Sequence, residues 1–116
     1  MQISNKKVED VTVVQLAGEL TAQTAGQTQE QVLQLAAPDA KMVLDMSRVT
    51  FMSSAGLRLL LVLYRTVSGR GGKVVLVGLS EDLQCTMSLT GFLDLFHHHP
   101  TLEAGLADLG SGRRAV

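Results

Sequence analysis

The chain has 116 residues, 46% of them hydrophobic but only 3% aromatic, with two prolines, one cysteine, no tryptophan and a formal net charge of −1 at pH 7. That describes one modest domain with an aliphatic core, large enough to bury about two thirds of its unfolded surface without a disulfide framework or a structural metal. Near-neutral charge argues against a nucleic-acid partner, which draws a clustered excess of lysine and arginine, and a lone Cys85 permits no intramolecular disulfide.

The N-terminus lacks the apolar run of a signal peptide, and the longest apolar stretch, residues 59–64, is too short to span a bilayer. A cytoplasmic location with no membrane contact is therefore expected. Residues 3–8 and 8–20, separated by Glu9-Asp10, carry the β-branched residues and partial alternation of a hairpin. Gly18 ends the second arm, and Thr21-Ala22-Gln23-Thr24 opens a helix towards Ala37 with Ala25, Val32, Leu35 and Ala36 near one face. Pro38 and Asp39 close that helix.

Residues 41–46 read as a strand buried on both faces, and residues 47–56 as a loop rich in small and hydroxyl side chains. Leu57, Leu60, Leu61, Tyr64 and Val67 then follow the spacing of an amphipathic helix, with Arg58, Val62 and Arg65 on the opposite stripe. Gly69, Gly71 and Gly72 stop it. Residues 73–78 form the clearest strand, and Ser80 is placed to cap a helix over 81–89 whose first turn holds Glu81 and Asp82. On that helix Cys85 reads as a small buried residue. Residues 92–99 read as extended, Pro100-Thr101 as the start of a last helix through Leu109, and residues 110–116 as a frayed polar tail. A hairpin followed by alternating strands and helices predicts an α/β sandwich with a mixed, mostly parallel sheet packed on helices.

The connection from Asp45 to Leu57 is where chemistry could reside. Ser53 and Ser54 fall at the N-terminal end of the helix whose core face begins at Leu57, where unpaired N–H groups and the positive dipole end favour negative charge. A phosphate on one of these serines would be tolerated there without unfolding the helix. Two other readings use the same residues: an ordinary N-cap and turn, or a hydrolase nucleophile on a strand–turn–helix elbow. The elbow pattern has its trailing Gly56 but lacks the leading glycine, and nothing singles out a base among His97, His98 and His99. Consecutive histidines on an extended segment point to opposite faces, so no metal is expected on the triplet. Gly69-Arg70-Gly71-Gly72 follows a helix and precedes a strand, the reverse of a phosphate cradle, so no nucleotide or other cofactor is expected.

The run Asp45-Met46-Ser47-Arg48-Val49-Thr50-Phe51-Met52-Ser53-Ser54-Ala55-Gly56-Leu57 resembles the signature of the anti-sigma factor antagonists, bacterial regulators built on a STAS domain. Gly18-Glu19-Leu20, Gly71-Gly72-Lys73-Val74-Val75-Leu76-Val77 and Met87-Ser88-Leu89-Thr90-Gly91-Phe92 fall in register with the same family, so the resemblance spans residues 3–109. It implies a single STAS-type domain over 1–109 and a protein-binding regulator that is not an enzyme. The partner it implies is a GHKL-type protein, both anti-sigma factor and serine kinase, bound by the unphosphorylated antagonist. The resemblance further implies that phosphorylation of a loop serine releases that partner and that a metal-dependent serine phosphatase reverses the step.

Aligned on Gly56, the family's phosphoacceptor falls on Ser54, with Ser53 as the weaker alternative. Met52, Ser53, Leu57, Arg58, Val62, Arg65 and Thr21 are the candidate contact residues around it, and Asp45 is the candidate for orienting the loop. Many members carry aspartate where this chain has Ser53 and Thr21, so the site is less acidic than the family pattern. A STAS module serving another assembly, such as a stress-signalling scaffold, secretion regulator or lipid-transport accessory subunit, is the alternative within the fold.

Overall fold

A computed structural model describes residues 1–110 as one five-stranded sheet with helices on both faces. The strands are β1 (Gln2–Val8), β2 (Val11–Leu20), β3 (Lys41–Met52), β4 (Lys73–Val77) and β5 (His97–His99). The helices are α1 (Ala22–Gln34), α2 (Ser54–Gly69), α3 (Glu81–Leu89) and α4 (Leu102–Asp108). Strand order follows chain order, with β1 antiparallel to β2 and every later pair parallel. This is the hairpin and mostly parallel sheet that the sequence predicts. Residues 111–116, most of the expected frayed tail, lie outside the described residues.

Alternation along the strands divides the apolar residues between two cores. Val14, Leu16, Met42, Leu44, Val74 and Leu76 face a large cluster completed by Val32 of α1, Leu60 and Leu63 of α2, and Leu83 and Met87 of α3. Val11, Val13, Val43, Val75 and Val77 point the other way, onto Leu102, Leu106 and Leu109 at α4. The packing is almost wholly aliphatic, as an aromatic-poor chain requires; Phe96 is the buried aromatic, set edge-on to Tyr64 at 5.4 Å between ring centroids. Helix α4 sits close to the sheet because Gly105 has no side chain: a Cβ there would lie 2.5 Å from Val77 Cγ1.

Several expectations are corrected. The segment 47–52 is not a loop, because β3 continues through it to Met52 and absorbs its extra residues as register shifts opposite Gln15/Ala17 and Gly18/Glu19. Residues 92–99 are not uniformly extended: Leu93–Leu95 make a turn of 3₁₀ helix before β5. Cys85 is exposed, since Leu83 and Met87 occupy the core face of α3 and position 85 lies about 200° around the helix from Leu83. On α2 the buried stripe is Leu57, Leu59, Leu60, Leu63 and Val67, leaving Leu61 and Tyr64 only partly covered. Helix α1 stops at Gln34, ahead of Pro38.

Candidate functional site

Two helices begin side by side. Leu20 and Met52 are facing partners at the ends of parallel strands β2 and β3, and the Ser53 N–H donates to the Leu20 carbonyl at 2.8 Å. Each strand then passes through one extended residue into a helix. Thr21 caps α1: its hydroxyl accepts from the Gln23 N–H at 3.3 Å, while the Thr24 hydroxyl accepts from the Thr21 N–H at 2.9 Å. Ser53 caps α2, accepting from the Ala55 N–H at 3.2 Å, and its carbonyl accepts the first helical hydrogen bond from Leu57 at 3.1 Å. Neither helix has an acidic residue in its first turn. Two positive dipole ends therefore meet at one corner with no carboxylate at the caps.

Ser54 is the first residue of α2 and is exposed, whereas Ser53 is half-buried with its oxygen engaged as the cap. The capping reading is thus fulfilled by Ser53 and leaves Ser54 without that duty. Gly56 holds the corner together. A Cβ there would lie 2.5 Å from Met52 Cγ and 3.0 Å from Leu20 Cβ, so the first turn of α2 can rest on both strand ends only with glycine at this position.

The expected contact residues separate into two groups. Arg58 and Arg65 are exposed along α2, with Val62 and Thr21 half-buried between solvent and protein. Met52 and Leu57, expected on the contact surface, are instead 5% and 7% exposed and belong to the core under the corner. Each β3 bulge shifts the alternation by one residue, so Val49 enters the core between Met46 and Met52; the two shifts cancel at Met52, which faces the same core as Met42 and Leu44. Its neighbour Phe51 is 50% exposed and sits opposite Glu19, a large apolar side chain beside the serines that the reading of residues 47–56 as a loop did not single out.

Asp45 does not reach the serines. Its carboxylate accepts from the Ser47 N–H at 3.0 Å, the Ser47 hydroxyl at 2.7 Å and Gln15 Nε2 at 3.3 Å, all at the first register shift of β3. Burial opposes its ionisation, but these hydrogen bonds and the Arg48 charge outweigh burial and hold the carboxyl below its ordinary range. Asp45 is thus tied to the first bulge of β3 and not to the corner.

The histidines lie elsewhere. His97 and His99, two apart and on one face of β5, converge on Asp108 at the end of α4, with distances of 2.9 and 2.8 Å to the same oxygen. Lys73 Nζ meets the other oxygen at 3.1 Å. The alternation argument separates His98 from this group but overlooks that its two neighbours share a face. By register His99 lies level with Asp45, on the order of 20 Å along β3 from Ser54.

Fold and corner together define a small α/β module presenting an exposed serine at a helix start. A model of the STAS domain matches residues 2–105, and the chain belongs to that family. The anti-sigma-B factor antagonist of Bacillus subtilis is 27% identical over 106 residues, covering 91% of this chain and 97% of that protein. The crystal structure of an anti-sigma factor antagonist from Mycobacterium paratuberculosis superposes with a TM-score of 0.83 at 26% identity, covering 92% of each chain. The fold is shared with the antagonist SpoIIAA at 20% identity. Its unphosphorylated form has a TM-score of 0.75 and covers 94% of this chain and 97% of that one; the phosphorylated Bacillus form has 0.68, with 93% and 99%. Among the described residues no helix is long and apolar enough to cross a membrane.

Proposed function

We propose that this chain is an anti-sigma factor antagonist that works by partner switching: it binds an anti-sigma factor with serine-kinase activity while Ser54 is free and releases it when Ser54 is phosphorylated. The observation that carries this reading is the division of labour at the corner, where Ser53 caps α2 and Ser54 is left exposed at its first position. The relatives named as anti-sigma factor antagonists, and the occurrence of the SpoIIAA fold in both phosphorylation states, support it. The kinase is of the GHKL type, a metal-dependent serine phosphatase resets the switch, and the chain itself contributes no catalysis or cofactor and acts in the cytoplasm.

The contact surface we assign is Phe51, Ser53, Ser54, Arg58, Val62 and Arg65 with Thr21 at its border, while Met52 and Leu57 support it from below. Phosphorylation replaces a neutral hydroxyl by about −1.5 to −2 charges at neutral pH. In a surface that must be desolvated against a partner, that costs several kcal/mol, and every ~1.4 kcal/mol is tenfold in affinity. A second reading, a STAS module of another assembly that is not switched by phosphate, draws on the neutral Thr21 and Ser53 at positions where many family members carry aspartate.

The test is to capture the partner from the source organism with this chain, incubate the two with ATP and map phosphate by mass spectrometry. Phosphate on Ser54, absent in Ser54→Ala, supports the switch. A stably bound partner that transfers nothing to the corner, with binding unchanged by Ser54→Asp, contradicts it.

A further inference from the structure

We infer that Arg58 is the internal counter-ion of the switch: once Ser54 carries a phosphate, the Arg58 guanidinium folds back along α2 and pairs with it. This rests on the assignment of Ser54 as acceptor and adds how the modified state is held. Ser54 and Arg58 are four residues apart on one helix and both are exposed. Side chains at that spacing lie one above the other with Cβ atoms roughly 5–6 Å apart. Helical side chains also lean towards the N-terminus, so the residue at i+4 reaches back over the residue at i, and a long arginine reaches beyond it.

The surroundings leave both groups available to each other. Among the described residues Arg58 has no hydrogen bond or ion pair, and α2 contains no acidic residue to compete for it. The caps beside Ser54 are the neutral Thr21 and Ser53. The carboxylate closest by register is Glu19, an exposed residue paired with Phe51 on the adjoining strand. A phosphate offers three acceptor oxygens to a planar five-donor fork, which is the geometry of a bidentate charge-assisted pair.

The consequence is that phosphorylation acts twice on one surface. It adds negative charge at Ser54, and it withdraws from the exposed stripe one of the two arginines available to an incoming partner, leaving Arg65. A carboxylate at the cap positions would compete for the same guanidinium, so the neutral caps and the free arginine belong to one design.

The experiment installs phosphoserine at position 54 of the full chain during translation, so that no kinase is required, and follows the phosphate by ³¹P NMR across pH. Pairing with Arg58 stabilises the dianion, so Arg58→Gln should raise the second pKa of the phosphate by about 0.2–0.4 of a pH unit, with Arg58→Lys falling between. Glu19 is present in every variant and cancels. Lys7→Gln, paired with Thr12 at the opposite end of β2, serves as the charge control and should leave the titration unchanged. Circular dichroism confirms that each variant is folded. The inference is overturned if Arg58→Gln titrates with the parent or moves no further than Lys7→Gln. Because the phosphate is supplied synthetically, either result is independent of whether a kinase acts on Ser54, which the transfer experiment above decides.

Discussion

Leu20 and Met52 are the last facing pair of the β2–β3 ladder, and each is followed immediately by the N-cap of a helix. Two helix starts are thereby fixed at one corner by the sheet itself. A side chain on the first turn of α2 inherits its position from the strands, and modifying it alters a surface whose shape is already set.

The corner depends on the missing side chain at Gly56. Gly56→Ala would press a methyl group into Met52 and Leu20, where overpacking typically costs about 1–3 kcal/mol. Urea denaturation should show a lowered midpoint with an unchanged slope. By contrast Gly26→Ala, in open space on α1, should be neutral or stabilising.

The adjacent serines should separate cleanly. Ser53→Ala removes the cap of α2 and should cost about 1 kcal/mol of stability, while Ser54 remains available for phosphate. Ser54→Ala should leave the denaturation midpoint nearly unchanged and abolish phosphorylation. The pair is measured by thermal unfolding alongside transfer of radiolabelled phosphate.

Phe51 predicts an affinity effect with little stability effect. Half its surface is in solvent, so Phe51→Ser removes few core contacts but takes an apolar anchor from the proposed interface. Affinity for the captured partner should fall at least tenfold, as read by calorimetry, while the unfolding temperature moves by only a few degrees.

Acid should loosen α4 from the sheet. Burial alone would raise the Asp108 pKa, but the donors on His99, His97 and Lys73 outweigh it and hold the carboxyl far below its ordinary 3.8. The folded state thus favours the ionised form. Its stabilisation is complete above the unfolded value and is lost as pH falls below 3.8 and through the folded pKa. Asp108→Asn should lower stability at neutral pH and flatten the acid limb, with the part due to Asp45 remaining. Urea midpoints between about pH 2 and 7 for parent and variant measure both effects.

How far the sequence could be read follows from which interactions are local. The hairpin, the Ser80 cap with its acidic first turn and the β4 run were legible because propensity, pattern and capping agree within a few residues. The two serines and Gly56 were legible as a helix start; Ser54 as the acceptor is the proposal that the resemblance suggests. What escaped depends on partners far along the chain. Whether residues 47–52 extend β3 or form a loop depends on their pairing with β2, so the loop reading hides both the burial of Met52 and the exposure of Phe51. The Asp108 clasp joins β4, β5 and α4, and no local window contains it.

The proposed switch makes a single phosphate on Ser54 decide whether the partner stays bound. The most direct measurement is the Kd of the captured partner for the chain with serine and with translationally installed phosphoserine at position 54. A loss of at least about a hundredfold, corresponding to roughly 2.7 kcal/mol, is predicted for the phosphorylated form. Equal affinities for the two forms would contradict the account.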